Sequence, residues 1–199
     1  MRIIGLGGPA GTGKSTIARW ISAREEIAWL DLDRVAWGCY APGERAYEKL
    51  LTRFGRDILA SSGQIDRRKL AFTAFVSPEA QADLNRIIHP EVEQALQTEI
   101  AQHERRGTHV LLVEGALLGL SPHIDYRMFD RVLWLEAPLA IRQHRLHRAG
   151  RGDHATRIGD EEELATPVTR IDASGTPEEA AQRILESIRD LLPDDLGCR

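Results

Sequence analysis

Gly8, Gly13, Lys14 and Ser15 stand at the spacing G-x-x-x-x-G-K-[ST] within "GLGGPAGTGKST", and each part of that spacing serves the capture of phosphate. Glycines let the main chain curl around an anion with several N–H groups turned inward. The helix that follows adds the positive end of its dipole. Lys14 then reaches the β- and γ-phosphates of a nucleoside triphosphate, and the Ser15 hydroxyl can ligate Mg²⁺. The predicted cradle is Gly8, Gly11, Thr12, Gly13, Lys14, Ser15 and Thr16. An apolar run, "RIIGL", precedes it and a helical pattern, "KSTIARWISARE", follows; that context separates such a loop from a chance glycine-rich turn.

A phosphate cradle does not by itself choose between kinase, ATPase and GTPase. Guanine-specific proteins read the base with N-K-x-D, whereas the single asparagine here, Asn85, precedes Arg86. The expected nucleotide is therefore ATP, with Mg²⁺. Carboxylates at the ends of two further apolar runs extend the candidate chemistry. "LDLD" puts Asp31 and Asp33 two residues apart, and in an extended chain such residues point the same way. Both would then face the crevice beyond a strand's carboxyl end, where α/β sheets bind ligands, and one could orient an attacking hydroxyl and accept its proton. The same positions suit a turn or a helix N-cap equally well, so spacing alone leaves both readings open. Glu114, closing "HVLLVE", is expected to hold a Mg²⁺-bound water.

These residues need a scaffold, and the apolar pattern supplies one. "RIIGL" (2–6), "IAWLD" (27–31), "HVLLVE" (109–114), "RVLWLE" (131–136) and "VTRID" (168–172) read as strands without alternation, as in a parallel sheet covered on both faces. Helical patterns lie between them. "ERAYEKLLTRFGRDILA" carries Tyr47, Leu50, Leu51, Phe54 and Ile58 on one stripe. "SPEAQADLNRIIHP" opens with Ser77 as N-cap and Pro78 at the first helical position, with a boundary favoured before Pro90. "GTPEEAAQRILESIRDLL" begins with a capping box of Thr176 and Glu179. Alternating strands and helices predict an α/β fold with a five-stranded parallel sheet. Residues 34–108 hold more helices than one crossover needs and form a candidate insertion, leaving 1–33 and 109–199 as the core.

Composition bounds the function. A net charge of -4 over 199 residues argues against a nucleic-acid binder that works by bulk electrostatics. Cys39 and Cys198 form no metal or disulfide pattern, which suits a reducing compartment. No targeting segment or membrane span is expected, and the cytoplasm is the expected location. A monomer or small homo-oligomer is expected.

From residue 3 to about residue 148 the chain resembles the dephospho-coenzyme A kinases. The resemblance rests on "GGPAGTGKST", "LDLDRVAW", "FGRDIL", "GQIDRRKLAFTAF" and "LNRIIHPEV", in that order. It implies a P-loop kinase-type three-layer α/β/α fold with a short lid at about 142–165, and a helical insertion that receives dephospho-coenzyme A. It implies ATP-dependent phosphorylation of the ribose 3′-hydroxyl to give coenzyme A and ADP. By the same likeness Asp33 is the general base, Asp31, Arg67 and His89 lie on the substrate side, and Lys14 stabilises charge on the transferring oxygens. The family usually follows the third-strand acid with Pro-Leu-Leu-Phe-Glu; here Ala116-Leu117-Leu118-Gly119-Leu120 lacks the second carboxylate. Arg145 matches the family's lid-region arginine best, with Arg148 or Arg151 assisting. Arg142, Arg145, Arg148 and Arg151 recur at intervals of three, which spreads them over roughly half of a helix circumference rather than along one face. Asp172 stands where the family tends to place Asn, next to the expected adenine contacts. Two other functions fit a P-loop protein with a helical insertion: a kinase of another small molecule such as a nucleoside, nucleotide or sugar, and an ATPase switch stimulated by a protein partner.

Overall fold

The structure, a computed structural model, describes residues 1–23, 26–151 and 163–193. The chain divides into two compact units, Met1–Asp31 with Gln102–Arg199, and Leu32–Ala101. The second boundary falls inside one long helix, which accounts for its displacement from the expected edge at residue 108.

The first unit is built on five parallel strands: β1 (Arg2–Gly7), β2 (Ile27–Asp31), β3 (Val110–Glu114), β4 (Arg131–Glu136) and β5 (Thr169–Asp172). Their order is β2-β3-β1-β4-β5. Each expected strand is present, with ends shifted by at most one residue. Ile3 through Gly7 are all buried, and successive side chains alternate faces, so the central strand is covered on both sides. That is why its sequence lacks alternation. α1 (Lys14–Ser22) and α7 (Pro177–Ser187) lay Ile17, Ala18, Ile21, Ala180, Ala181 and Ile184 on a core shared with Ile4, Leu6, Leu133 and Leu135. Each fully buried Ile or Leu side chain contributes roughly 1.5–3 kcal/mol relative to exposure. The chain leaves β1 for β2 on one side and later reaches β4 on the other, so the strand order reverses at the carboxyl end of β1.

The second unit holds α2 (Leu32–Gly38), α3 (Arg45–Phe54), α4 (Arg67–Ala74) and most of α5 (Pro78–Arg105). Its own core gathers Tyr40, Ala46, Leu50, Phe54, Ile58, Ile65, Leu70 and Ala74. Two expectations are corrected here. The helix read over "ERAYEKLLTRFGRDILA" stops at Phe54, because Gly55 turns to φ 79° and the chain resumes as a short 3-10 turn at Arg56–Ile58. The boundary favoured before Pro90 is absent. α5 runs through that proline, which removes one helical donor in a 28-residue helix without ending it. Ser77 does cap α5, its hydroxyl accepting from the Ala80 N–H at 3.2 Å. The capping box of α7 also forms, between Thr176 and Glu179.

Candidate active site

The loop between β1 and α1 has the form that its glycines prescribe. Gly13 takes φ 94° as N-cap of α1 and offers no side-chain cap, so the first turn of the helix opens toward a ligand. Gly11 takes φ +85° and lies against the main chain of Arg142, on α6 (Leu139–Arg148). Thr12 is fully buried and its hydroxyl donates to the Pro9 carbonyl at 2.9 Å, bracing the loop across its own bend. The Lys14 ammonium donates to the Gly8 and Pro9 carbonyls at 2.6 and 3.2 Å, which places the cation over the mouth of the loop. Ser15 is half-buried and Thr16 exposed in the first turn of α1.

Glu114 ends β3 with 2% of its surface exposed, and it pairs in register with Asp31 of β2 and Leu6 of β1. Two carboxylates therefore sit side by side at the carboxyl edge of the sheet, Glu114 one strand and Asp31 two strands from the strand that feeds the phosphate loop. A buried acid next to a second acid suits a cation, so the Mg²⁺ assignment of Glu114 fits its surroundings.

In the second unit Asp33 occupies the first turn of α2. The extended alternation used to pair it with Asp31 therefore does not operate, because the strand ends at Asp31 and the helix begins at Leu32. Asp66 caps α4, its carboxylate accepting from the Arg68 and Lys69 N–H groups. This fixes the start of the helix and with it Arg67, whose guanidinium lies 3.7 Å from the centre of the Trp37 ring. Tyr40 is buried next to this group. Its hydroxyl is pushed up to about 12, chiefly by burial, with Arg67 pulling it down and Cys39 and Asp33 adding to the rise. Asp33 and Arg67 thus act on one phenol, and Trp37, Tyr40, Asp33 and Arg67 form one neighbourhood. His89 is half-buried on α5, one residue before Pro90.

The arginines of α6 part company along the helix. Arg142 is 3% exposed and its Nε donates to the Ala137 carbonyl at 3.0 Å. Arg145 is half-buried and turned toward the core, its two terminal nitrogens donating to the carbonyls of Thr12, Ala173, Ser174 and Gly175. Arg148 and Arg151 are exposed. Residues 152–162, the middle of the expected lid, lie outside the described residues, as does Cys198.

The model of the dephospho-CoA kinase family matches residues 2–165, a stretch that takes in the phosphate loop and the whole of the second unit. The chain belongs to the dephospho-CoA kinase family. It is accordingly a kinase of the P-loop type. The dephospho-CoA kinase of Corynebacterium diphtheriae is 37% identical over 146 residues, covering 73% of this chain and 72% of the relative. That of Corynebacterium glutamicum is 32% identical over 195 residues, covering 94% and 98%. Among solved structures, the protein TT1252 of Thermus thermophilus superposes with a TM-score of 0.77 at 29% identity, covering 96% of this chain and 98% of its own.

Sequence reading missed several residues that lie beside the candidate residues within each unit of this dephospho-CoA kinase family member. Neither Trp37 nor Tyr40 was singled out; the structure leaves Trp37 44% exposed with the Arg67 guanidinium over its ring. Asp66 was read only as part of "GQIDRR", yet an Asp directly before a basic helix start is a recognisable N-cap. The carbonyl cluster at 173–175 carries no side-chain signature at all. Among the described residues no helix is long and apolar enough to cross a membrane.

Proposed function

We propose that the protein transfers the γ-phosphoryl group of ATP to the ribose 3′-hydroxyl of dephospho-coenzyme A, in the cytoplasm and with Mg²⁺. The observation that carries the acceptor is the extent of the family match. It spans the helical unit as fully as the phosphate loop, and a phosphate loop alone would leave the acceptor open.

In this reaction the main-chain N–H groups of Gly11, Gly13 and the first turn of α1 hold the phosphates. Lys14 exchanges its Gly8 and Pro9 carbonyl partners for β- and γ-phosphate oxygens, a short move because those carbonyls form the rim of the loop. Mg²⁺ would be held by the Ser15 hydroxyl and, through water, by Glu114; it would supply charge neutralisation between the β- and γ-phosphates. Asp33 orients the 3′-hydroxyl and accepts its proton as the new O–P bond forms and the bond to the ADP oxygen breaks. Arg67, steadied by the Trp37 ring, takes an anionic group of the acceptor, and Asp31 and His89 complete the substrate side. Phosphoryl transfer is loose, so alignment and charge stabilisation contribute more than proton removal.

The test is ADP release measured over dephospho-coenzyme A, nucleosides and sugars, with product identified by mass. Rapid release with dephospho-coenzyme A alone, and a product heavier by one phosphate, is the expected result. Equal ADP release with and without acceptor would overturn the proposal, and so would faster turnover of a nucleoside or sugar.

A further inference from the structure

We infer that Arg145 is a positioning residue which ties the phosphate loop to the turn after β5, and that it sets nucleotide affinity through this tie rather than by touching the transferred phosphoryl group. The inference rests on the proposed function only in taking ATP as the nucleotide bound. One terminal nitrogen of Arg145 donates to the Thr12 carbonyl at 3.3 Å and to the Ala173 carbonyl at 2.8 Å. The other donates to the Ser174 carbonyl at 3.1 Å and the Gly175 carbonyl at 2.7 Å. A guanidinium has five N–H donors in a rigid fork. Four are committed here to main-chain oxygens of two segments far apart in sequence. A group so engaged has at most its Nε–H to offer a phosphate oxygen.

Both segments are shaped for this contact. Thr12 is fully buried, so its carbonyl has few alternative partners in water. On the other side, Asp172 accepts from the Ser174 N–H at 3.0 Å and from its hydroxyl at 2.5 Å, while Arg183 donates to the Asp172 carbonyl at 3.0 Å. The Asp172 carboxyl is held below its ordinary value by the Ser174 hydroxyl first and the Ser174 N–H next, with Arg183 and then Arg145 adding least. That turn aims three consecutive carbonyls at one cation, and the capping box at Thr176 locks its exit into α7. Gly11 adds a second support, since α6 lies against it at Arg142. The turn at 173–175 closes the carboxyl end of β5, where an α/β sheet receives the rest of a nucleotide whose phosphates sit in the loop. Arg145 therefore holds the phosphate end and the base end of one ligand site at a fixed separation.

The experiment compares ADP, ATP and inorganic tripolyphosphate binding to the wild type, Arg145→Ala and Arg145→Lys by calorimetry, with steady-state kinetics alongside. Lysine keeps the charge but lacks the fork that reaches both segments. A tie predicts that both variants lose ADP and ATP affinity by the same factor, about tenfold or more, and lose tripolyphosphate affinity less than threefold. It also predicts that KM for ATP rises while kcat stays within threefold. A phosphate clamp predicts the reverse: ATP and tripolyphosphate weaken more than ADP, kcat falls, and lysine rescues in part. That pattern would overturn the inference, as would variants that melt earlier yet bind all three ligands like the wild type. If neither variant folds, hydrogen exchange on the wild type decides. Tripolyphosphate filling the loop should slow exchange at 173–176, and no slowing would overturn the inference. Failure of the wild type itself to bind ADP would count against the proposed function and not against the tie.

Discussion

Replacing Gly11 by alanine separates two costs that the phosphate loop imposes on its sequence. Gly11 has φ +85°, a conformation that costs an L-residue about 1–2 kcal/mol. An added Cβ would also lie 2.6 Å from the Arg142 main-chain oxygen and 2.9 Å from its Cα. These are backbone atoms of a helix and cannot swing aside. Overpacking of this kind adds about 1–3 kcal/mol. Gly107 is the matched control: its φ is +74° and nothing lies within 4 Å of its would-be Cβ, so alanine there meets only the first cost. The excess at Gly11 can be relieved by bending the loop or by displacing α6. The first lowers ADP affinity by about 5- to 150-fold, and the second lowers stability by the corresponding energy. Calorimetric ADP titration and urea unfolding of both variants measure the two routes together. Gly11→Ala matching Gly107→Ala within twofold in affinity and within error in unfolding midpoint would refute the argument that close approach to α6 dictates glycine at this position.

Two further outcomes follow from the second unit. Asp33→Asn should lower kcat by about 100-fold or more with ATP affinity nearly unchanged, as read by initial rates and nucleotide titration; a loss under threefold would remove Asp33 from the role of base. Tyr40 should make the fold alkali-sensitive. The unfolded tyrosine ionises near 10 while the folded one keeps its proton to about 12, so the unfolded state binds fewer protons in that window and stability falls as pH rises through it. The difference in urea midpoint between wild type and Tyr40→Phe should therefore shrink from about pH 9 to about pH 11, and a constant difference would show that the phenol does not report the buried environment described here.

The fold was readable because its strands are buried on both faces. Continuous apolar runs such as "RVLWLE" have no other use in a chain whose intervening helices are amphipathic, and each run became a strand. Helix ends were readable where a side chain makes them, as at Ser77 and Thr176, and unreadable where the main chain does. Gly55 breaks α3 through its own dihedral angles, while Pro90 leaves α5 intact because a long helix tolerates one missing donor. The pairing of Asp31 with Asp33 failed as an argument for a similar reason. It assumed an extended chain two residues further than the strand extends, and the apolar Leu32 between them gave no sign of the change. Chemistry carried by a motif, as in the phosphate loop, needs only local geometry and was therefore visible.

Arg145 marks the opposite limit. Its likeness to a lid arginine came from its place in the chain, and place alone cannot tell whether a guanidinium faces a ligand or the protein's own carbonyls. Four neighbouring oxygens decide that, and three of them belong to a turn that lies 28 to 30 residues away. Peptide carbonyls are the same in every residue, so no substitution pattern at 173–175 would reveal them as acceptors. What the sequence does show is the device that aims them, the Asp172 and Ser174 pair, in which aspartate stands where a resembling chain tends to carry asparagine. An aspartate there adds a negative charge within reach of the Arg145 field and orders the turn through Ser174. Arg148, at the end of α6, and Arg151 just beyond it are exposed instead, and no comparable set of carbonyls holds them among the described residues. The arginines of this stretch thus differ by depth: Arg142 and Arg145 donate to the protein's own carbonyls, and Arg148 and Arg151 face solvent.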